Sequence, residues 1–453
     1  MYFQYSVPDK FKWFPEARYG MFIHWGPYAQ YGHGEQALFR DHLDPVKYER
    51  RACLWNPKSF EPREWAKTAK AAGMKYACLT TRHHDGYCLW DSAYTDYTSA
   101  KQAPHRDFVR EFVDAFRAEG IRIGFYYSWC DFRIPAYYRG PQLDPDGWEA
   151  MRTYIHSQVE ELLTKYGKVD YFFFDGVWPR CAEDLQSREL VGKMRKLQPD
   201  IIINNRLGID GPVDLPHMDG GAGAGEGGSS GDFGTPERTI TPEDRLWESC
   251  LISNWRWWGY AKGERWISSE QILDSLCACA SRGGNLILNV GPDGEGRFPA
   301  EFNERVSAVG EWLKTNGEAV YGNEGGELTE FSTWGYQTIK GNCLYLILRF
   351  WHGEPELRLP DIISKPVKAE LLSEGKDISV SQRNGALILS GFPQKVDSEL
   401  FPVIKIEFEE KPMTNLWGAQ RLWEGDPLRI AEWASRRKSG FNVCPADAKD
   451  DLE

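Results

Sequence analysis

No stretch of this chain approaches the roughly 18 to 20 uninterrupted apolar residues of a membrane-spanning helix. The opening residues Met1-Tyr-Phe-Gln-Tyr-Ser also lack a basic segment followed by an apolar one. A soluble protein is expected, with export by a leader already removed as the alternative the sequence would hide. The ten cysteines form no Cys-x-x-Cys pair, which argues against a zinc site or a dithiol motif. Several lie inside apolar runs and read as buried free thiols, a pattern that leans towards a reducing, cytoplasmic compartment. Positive charge is in short supply as well. With 54 Lys and Arg against 66 Asp and Glu, the net charge of -12 disfavours nucleic acid or an anionic membrane as partner. The run Gly220 to Gly231 holds almost no apolar residue, and no helix bearing a Lys follows it. It therefore reads as a surface segment or lid and not as a phosphate cradle.

What the chain does have is length, apolar content and aromatic rings. At 453 residues and 42% hydrophobic content it can bury a domain of barrel size plus a smaller one. Fourteen per cent aromatic residues, including 19 Trp, exceed the ordinary needs of a core. Stacking on the apolar faces of sugars is one use for the surplus, and dense packing is the other. From Tyr19 to about Val320, apolar strands alternate with amphipathic helices. Phe108, Phe112 and Phe116 make one helical stripe closed by Gly120, and Ser268-x-x-Gln271 is a capping box that opens the helix before the strand Asn285 to Val290. Alternation of this kind predicts a parallel α/β sheet. The polar residues ending successive strands predict its closure into a (β/α)8-like, TIM-type barrel over residues 1–325. Short strands split by Gly, Pro and Asn then predict an antiparallel β-sandwich over 326–410. The tail 411–453 carries Trp417, Trp423 and Trp433, rings that call for burial against the body or a second subunit, so a homo-oligomer is one expectation.

The chemistry gathers at strand ends. Val169-Asp-Tyr-Phe-Phe-Phe-Asp175-Gly reads as a strand buried on both faces that delivers Asp175 to the carboxyl rim, the catalytic face of a parallel barrel. An Asp that merely closes a turn through its own backbone is the competing reading. Around that rim a barrel would also collect His24, His83, His84, Tyr126 and Arg206. Imidazoles, a phenol and a guanidinium about a carboxylate suit a polyol, whose adjacent hydroxyls both donate and accept. Metal ligation is the rival reading of the histidines. No second carboxylate and no His-x-His spacing supports it, so no metal and no cofactor are expected.

Six segments resemble the α-L-fucosidases of glycoside hydrolase family 29. They are Trp13-Phe-Pro-x-Ala-Arg-Tyr-Gly-Met-Phe-Ile-His-Trp-Gly26, Lys75-Tyr-x4-Thr-Thr-Arg-His-His-Asp-Gly86, Tyr126-Tyr-Ser128, Phe-Phe-Asp175-Gly, Trp257-Trp-Gly-Tyr260 and Gly283-Gly-Asn-Leu-x-Leu-Asn-Val-Gly-Pro292. The resemblance implies an exo-acting retaining hydrolase that takes fucosylated oligosaccharides or glycoconjugates, with Asp175 as nucleophile. It nominates Glu237, in Asp232-Phe-Gly-Thr-Pro-Glu237, as acid/base, with Glu248, Glu226 and Glu35 as alternatives; Glu248 is read as a buried strand residue supporting Arg206 or the nucleophile. His24, His83, His84, Tyr126 and Arg206 would hold the sugar, Glu35 matches a sugar-binding Glu, and Phe173 would face the sugar methyl. Of the paired histidines, alternation along a strand would let only one ring face the site. The chain departs from the family at Gln36-Ala37, where a Trp commonly follows the Glu. Another L-sugar such as an α-L-galactoside therefore stays open, as does a non-catalytic sugar-binding protein.

Overall fold

The computed structural model describes residues 7–208, 231–326, 334–351, 353–360, 362–383, 386–396 and 400–413. Most of the glycine-rich run with Glu226, and the tail with Trp417, Trp423 and Trp433, lie outside the described residues. The chain divides into one unit ending at Asn323 and another beginning at Glu324.

The first unit is built on eight strands: β1 (Tyr19–Ile23), β2 (Tyr76–Arg82), β3 (Arg122–Ser128), β4 (Tyr171–Asp175), β5 (Ile202–Ile203), β6 (Phe233–Gly234), β7 (Leu246–Ile252) and β8 (Asn285–Val290). Their order is β5-β4-β3-β2-β1-β8-β7-β6, with every pair parallel. A single parallel bridge between Asn204 and Phe233 joins the two ends and closes the barrel. β1 and β2 are buried at every position, as strands covered on both faces must be.

Local signals place the helices between them. Asp107 caps the helix Phe108–Ala118 by accepting from the Arg110 amide at 2.8 Å, and Phe108, Phe112 and Phe116 are fully buried along one stripe. The capping box at Ser268 and Gln271 is formed in full and opens the helix Ser269–Ser281. The strands ending at Asp175 and at Val290 fall where the sequence reading put them. The run from Ile201 to Arg206 yields only two strand residues, after which the chain leaves the ladder to carry Arg206 to the rim.

The second unit holds β9 (Gly335–Lys340), β10 (Cys343–Leu348), β11 (Glu356–Pro360), β12 (Pro366–Leu371), β13 (Lys376–Arg383), β14 (Ala386–Ser390) and β15 (Val403–Phe408). They form an antiparallel ladder in the order β11-β14-β13-β12-β15-β10-β9. Leu359 and Leu387 from one end share a core with Leu346 and Ile339 from the other, so the sheet folds across its own apolar face. β11 escaped the sequence reading because Glu-Leu-Arg-Leu-Pro offers only two apolar residues and ends in proline, which suits its place at the edge of the ladder.

Inside the barrel, Phe14 from the helix Trp13–Ala17 reaches the rings of Phe233, Tyr76 and Tyr171, with centroids 4.9, 5.8 and 6.2 Å away. Glu248 shares this layer. The Tyr171 hydroxyl donates to its Oε1 at 2.6 Å, and the Tyr76 hydroxyl donates to its Oε2. It is a fully buried strand residue as read, but what it binds is this pair of phenols and not Arg206 or Asp175. Barrel closure brings positions 76, 171 and 248, far apart in the chain, together.

Burial pushes the Glu248 carboxyl up to about 8, against the lowering pull of the hydrogen bonds from Tyr171 and Tyr76. The unfolded chain ionises this group near the ordinary 4.5, whereas the folded barrel keeps the proton. Stability is therefore lost progressively as pH rises from about 4.5 to 8. Glu248→Gln removes that slope. In urea unfolding at pH 5, 6, 7 and 8, the stability difference between variant and parent is expected to move in favour of the variant by up to about 1.4 kcal/mol per pH unit. A difference constant across this range would mean that Glu248 is ionised inside the barrel.

Candidate active site

The strands converge their carboxyl ends on one cavity of about 530 Å³. All nine residues singled out from the sequence line it: His24, Glu35, His83, His84, Tyr126, Phe173, Asp175, Arg206 and Glu237. His24 follows β1, the two histidines follow β2, Tyr126 lies in β3, and Phe173 and Asp175 lie in β4. Arg206 follows β5 and Glu237 follows β6.

Two hydrogen bonds hold Asp175, and His84 stands beside it. Arg206 Nη1 donates to Oδ1 at 2.7 Å, the Tyr126 hydroxyl donates to Oδ2 at 2.8 Å, and His84 Nε2 stands 3.7 Å from Oδ2. Burial raises its carboxyl, but Arg206, His84 and the two hydrogen bonds outweigh this and bring it to about 2, so it is an anion at any working pH. The next residue, Gly176, turns with φ +69°; a Cβ there would lie 2.9 Å from Ser128 Oγ and 3.1 Å from His84 Cε1. Only glycine fits both the turn and its neighbours.

Arg206 also binds the second carboxylate. Its Nη2 donates to Glu237 Oε2 at 2.9 Å, its Nε donates to Thr235 Oγ1 at 3.1 Å, and the guanidinium lies 5.2 Å from the Phe173 ring. One buried cation thus holds Asp175 and Glu237 on the same wall. The Glu237 backbone is fixed through a parallel bridge to Cys250 on β7, while its side chain keeps 36% of its surface exposed. Of its sequence rivals, Glu248 lies among the tyrosines and Glu226 falls outside the described residues. Glu35 is 4% exposed, and its Oε2 accepts the amides of Trp258 and Gly259 at 3.0 and 2.9 Å. That carboxylate therefore holds the Trp257-Trp258 loop as well as facing the cavity.

Hydrogen-bond chains set the histidine tautomers. Asn289 Nδ2 donates to the Trp258 carbonyl at 2.6 Å, so its Oδ1 accepts from His24 Nδ1, also 2.6 Å away. Nε2 of His24 is left with a lone pair for a hydroxyl donor. Ser128 Oγ donates to the Cys130 carbonyl at 2.7 Å and can then accept from His84 Nδ1 at 2.6 Å. Burial lowers His24 to about 3, His84 to about 4 and His83 well below its ordinary value. All three are neutral near pH 7. Both rings of the pair line the cavity, contrary to the strand-alternation argument: β2 ends at Arg82, so His83 and His84 lie beyond the pleat, with ring centroids 4.1 Å apart.

The sequence reading did not assign a role to Trp257, Trp258, Arg40, Arg238 or Arg256, which also line the cavity. Adjacent tryptophans just past a strand end were the available signal for the first two; the arginines carried none. Gln36 lines the cavity too, with its Oε1 accepting from Arg40 Nε at 3.0 Å. Among the described residues, no group of three or more His, Cys, Asp or Glu is arranged to hold a metal ion.

The family model described as alpha-L-fucosidase matches residues 6–318. The chain belongs to the α-L-fucosidase family. It is 29% identical to the tissue alpha-L-fucosidase of Bos taurus over 412 residues, which is 84% of each protein. Among solved structures, alpha-L-fucosidase isoenzyme 1 from Paenibacillus thiaminolyticus is 34% identical with a TM-score of 0.78, over 89% of this chain and 99% of that one. A GH29 α-L-fucosidase from Bacteroides thetaiotaomicron, trapped as a covalent intermediate with 2-fluoro-fucosyl fluoride in a Glu-to-Gln mutant, is 28% identical with a TM-score of 0.81, over 89% and 97%. Barrel and antiparallel sheet together are the fold of this family.

Neutral histidines and an ionised Asp175 fix the expected acid limb. As pH falls from 7 to 5, neither His24, His84 nor Asp175 changes charge, and protonation of His84 near 4 is the first of these events. The kcat/KM for an aryl α-L-fucoside should accordingly show no limb at the ordinary histidine value of 6.5 and should decline only below about pH 4 to 5. A limb centred near 6.5 that disappears in a histidine variant would contradict this.

Proposed function

We propose that the chain is a retaining exo-α-L-fucosidase that removes terminal α-L-fucosyl residues from oligosaccharides or glycoconjugates, with Asp175 as nucleophile and Glu237 as acid/base. The observation that carries this is the single guanidinium of Arg206 binding both carboxylates. A shared cation puts two acids on one wall of the cavity, and double displacement calls for two carboxyl groups about 5 to 5.5 Å apart.

In the first step an Asp175 oxygen bonds to the anomeric carbon while the bond to the aglycone oxygen breaks, and Glu237 gives that oxygen its proton. Glu237 enters this step as the protonated acid, the form the second step regenerates, and not as the carboxylate that pairs with Arg206. In the second step Glu237 takes a proton from water, which attacks the anomeric carbon and releases Asp175. His24 Nε2, His83, His84, Tyr126 and Glu35 supply donors and acceptors for the sugar hydroxyls, and Phe173 supplies an apolar surface for the methyl group. An L-galactoside carries one more hydroxyl than a fucoside, and Gln36, where the family commonly has Trp, is the side chain placed to bind it. Its Oε1 accepts from Arg40 Nε, while its amide NH2 keeps donors for a hydroxyl, so an α-L-galactoside stands as the second reading.

Asp175→Asn is expected to lower kcat/KM for a nitrophenyl fucoside by about three orders of magnitude or more. In Asp175→Ala, azide should restore part of the turnover by occupying the vacated face. Near-parental activity in either variant would remove Asp175 from the mechanism.

Leaving groups separate the acid/base candidates. Glu237→Ala should slow an unactivated fucosyl disaccharide by about 10² to 10⁴, while an activated aryl fucoside still forms the glycosyl-enzyme in a burst. If Glu248→Ala shows that selective loss and Glu237→Ala slows both substrates equally, the two roles must be exchanged.

A further inference from the structure

The cavity mouth collects three guanidiniums that the reaction does not use. Arg40 lies 5.6 Å from the ring centroid of Trp257, and Arg256 lies 5.8 Å from the same ring. Arg238 Nη2 donates to the Arg256 carbonyl at 2.6 Å, and its guanidinium is 5.8 Å from Trp258. All three line the cavity and are exposed. Among the described residues none of them forms an ion pair within 4 Å; Asp175 and Glu237 are engaged by Arg206 and Glu35 by backbone amides, with Arg238 acting on Glu35 only at a distance. Like charges repel, so converging three cations from separate segments around two indoles is unfavourable in the empty site. In a protein of net charge -12 it is also not the drift of a generally basic surface.

These cations line the same cavity as Glu237. On the reading of Glu237 as acid/base, the glycosidic oxygen meets Glu237, and the aglycone extends from there past the adjacent Arg238. Gln36 steadies the patch by accepting from Arg40 Nε. We infer that Arg40, Arg238 and Arg256, arrayed around Trp257, form an aglycone subsite for an anionic sugar, one carrying a sulfate or a carboxylate beside the fucosyl unit. Guanidinium forks match both oxyanions, and the indole offers a flat apolar face to the ring that bears them.

The test measures kcat/KM of the full chain on three fucosyl disaccharides that differ only in the acceptor sugar: neutral, sulfated, and uronic with a free carboxylate. A neutral nitrophenyl fucoside serves as the reference. The expected result is a preference of about tenfold for one or both anionic acceptors over the neutral one. That preference should shrink in 0.5 M NaCl and fall towards unity in the triple variant Arg40→Gln, Arg238→Gln, Arg256→Gln. The sulfate and carboxylate arms report which oxyanion the patch takes. Should the triple variant not fold, the salt dependence of the parent and the single variant Arg256→Gln carry the same comparison. Equal rates on neutral and anionic acceptors, or a preference untouched by salt and by the substitutions, overturn the subsite while leaving the reaction standing. Failure to turn over any fucoside, the nitrophenyl reference included, instead overturns the reading of the reaction.

Discussion

The guanidinium of Arg206 is the interaction on which the site depends. It is 4% exposed, and burying a cation so deeply is tolerable only because its donors meet Asp175, Glu237 and the Thr235 hydroxyl and carbonyl. Thr235 can serve Nε because its own proton goes to Asn205 Oδ1 at 3.0 Å. Taking away one partner of such a set leaves a buried charge uncompensated, a loss on the order of 3 to 5 kcal/mol. The same cation keeps Asp175 ionised, fixes where Glu237 starts, and lies against Phe173. Asp175, Glu237 and Phe173 are thus gathered about one side chain.

Two buried carboxyls in this barrel show how environment alone divides one functional group into two behaviours. Asp175 and Glu248 are both withdrawn from water, and burial raises both. At Asp175 a guanidinium answers the anion and the group settles at about 2. At Glu248 only two phenols answer it, and the group rises to about 8. A hydrogen bond from a neutral donor does not offset desolvation as a full positive charge does. Glu248 is therefore a proton-bearing member of the barrel core, and Asp175 a permanent anion at its rim.

Much of this was legible in the chain because the periodicities are strong. The run ending Phe-Phe-Phe-Asp175-Gly announces a strand, a rim and a turn, and the Phe108, Phe112 and Phe116 stripe announces a helix on the barrel's outside. The rim residues followed, since polar groups ending consecutive parallel strands must meet. What could not be read were relations created by closure: the two phenols on Glu248, the sharing of Arg206 by two acids, and Glu35 reaching 223 positions along to the Trp258 amide. The error over His83 and His84 came from extending strand alternation two residues past the point where β2 ends. Surface arginines such as Arg40 and Arg256 carry no periodic signal, so only their convergence in space distinguishes them.

The closure of the barrel has a further meaning. Between β5 and β6 the ladder has only the Asn204 to Phe233 bridge, the thinnest join in the ring. Asp232 supports it by exchanging 2.8 Å hydrogen bonds with Ile203, its carboxylate gripped by Arg195 at 2.5 and 2.6 Å. Above it, Arg206 comes from one side of that join, and Thr235 and Glu237 come from the other. The ion pair between Arg206 and Glu237 is therefore also a clasp across the place where the cylinder would first split. Under the role proposed for Glu237, a side chain that turned to a substrate would leave Thr235, among the described residues, as the one partner of Arg206 across that join.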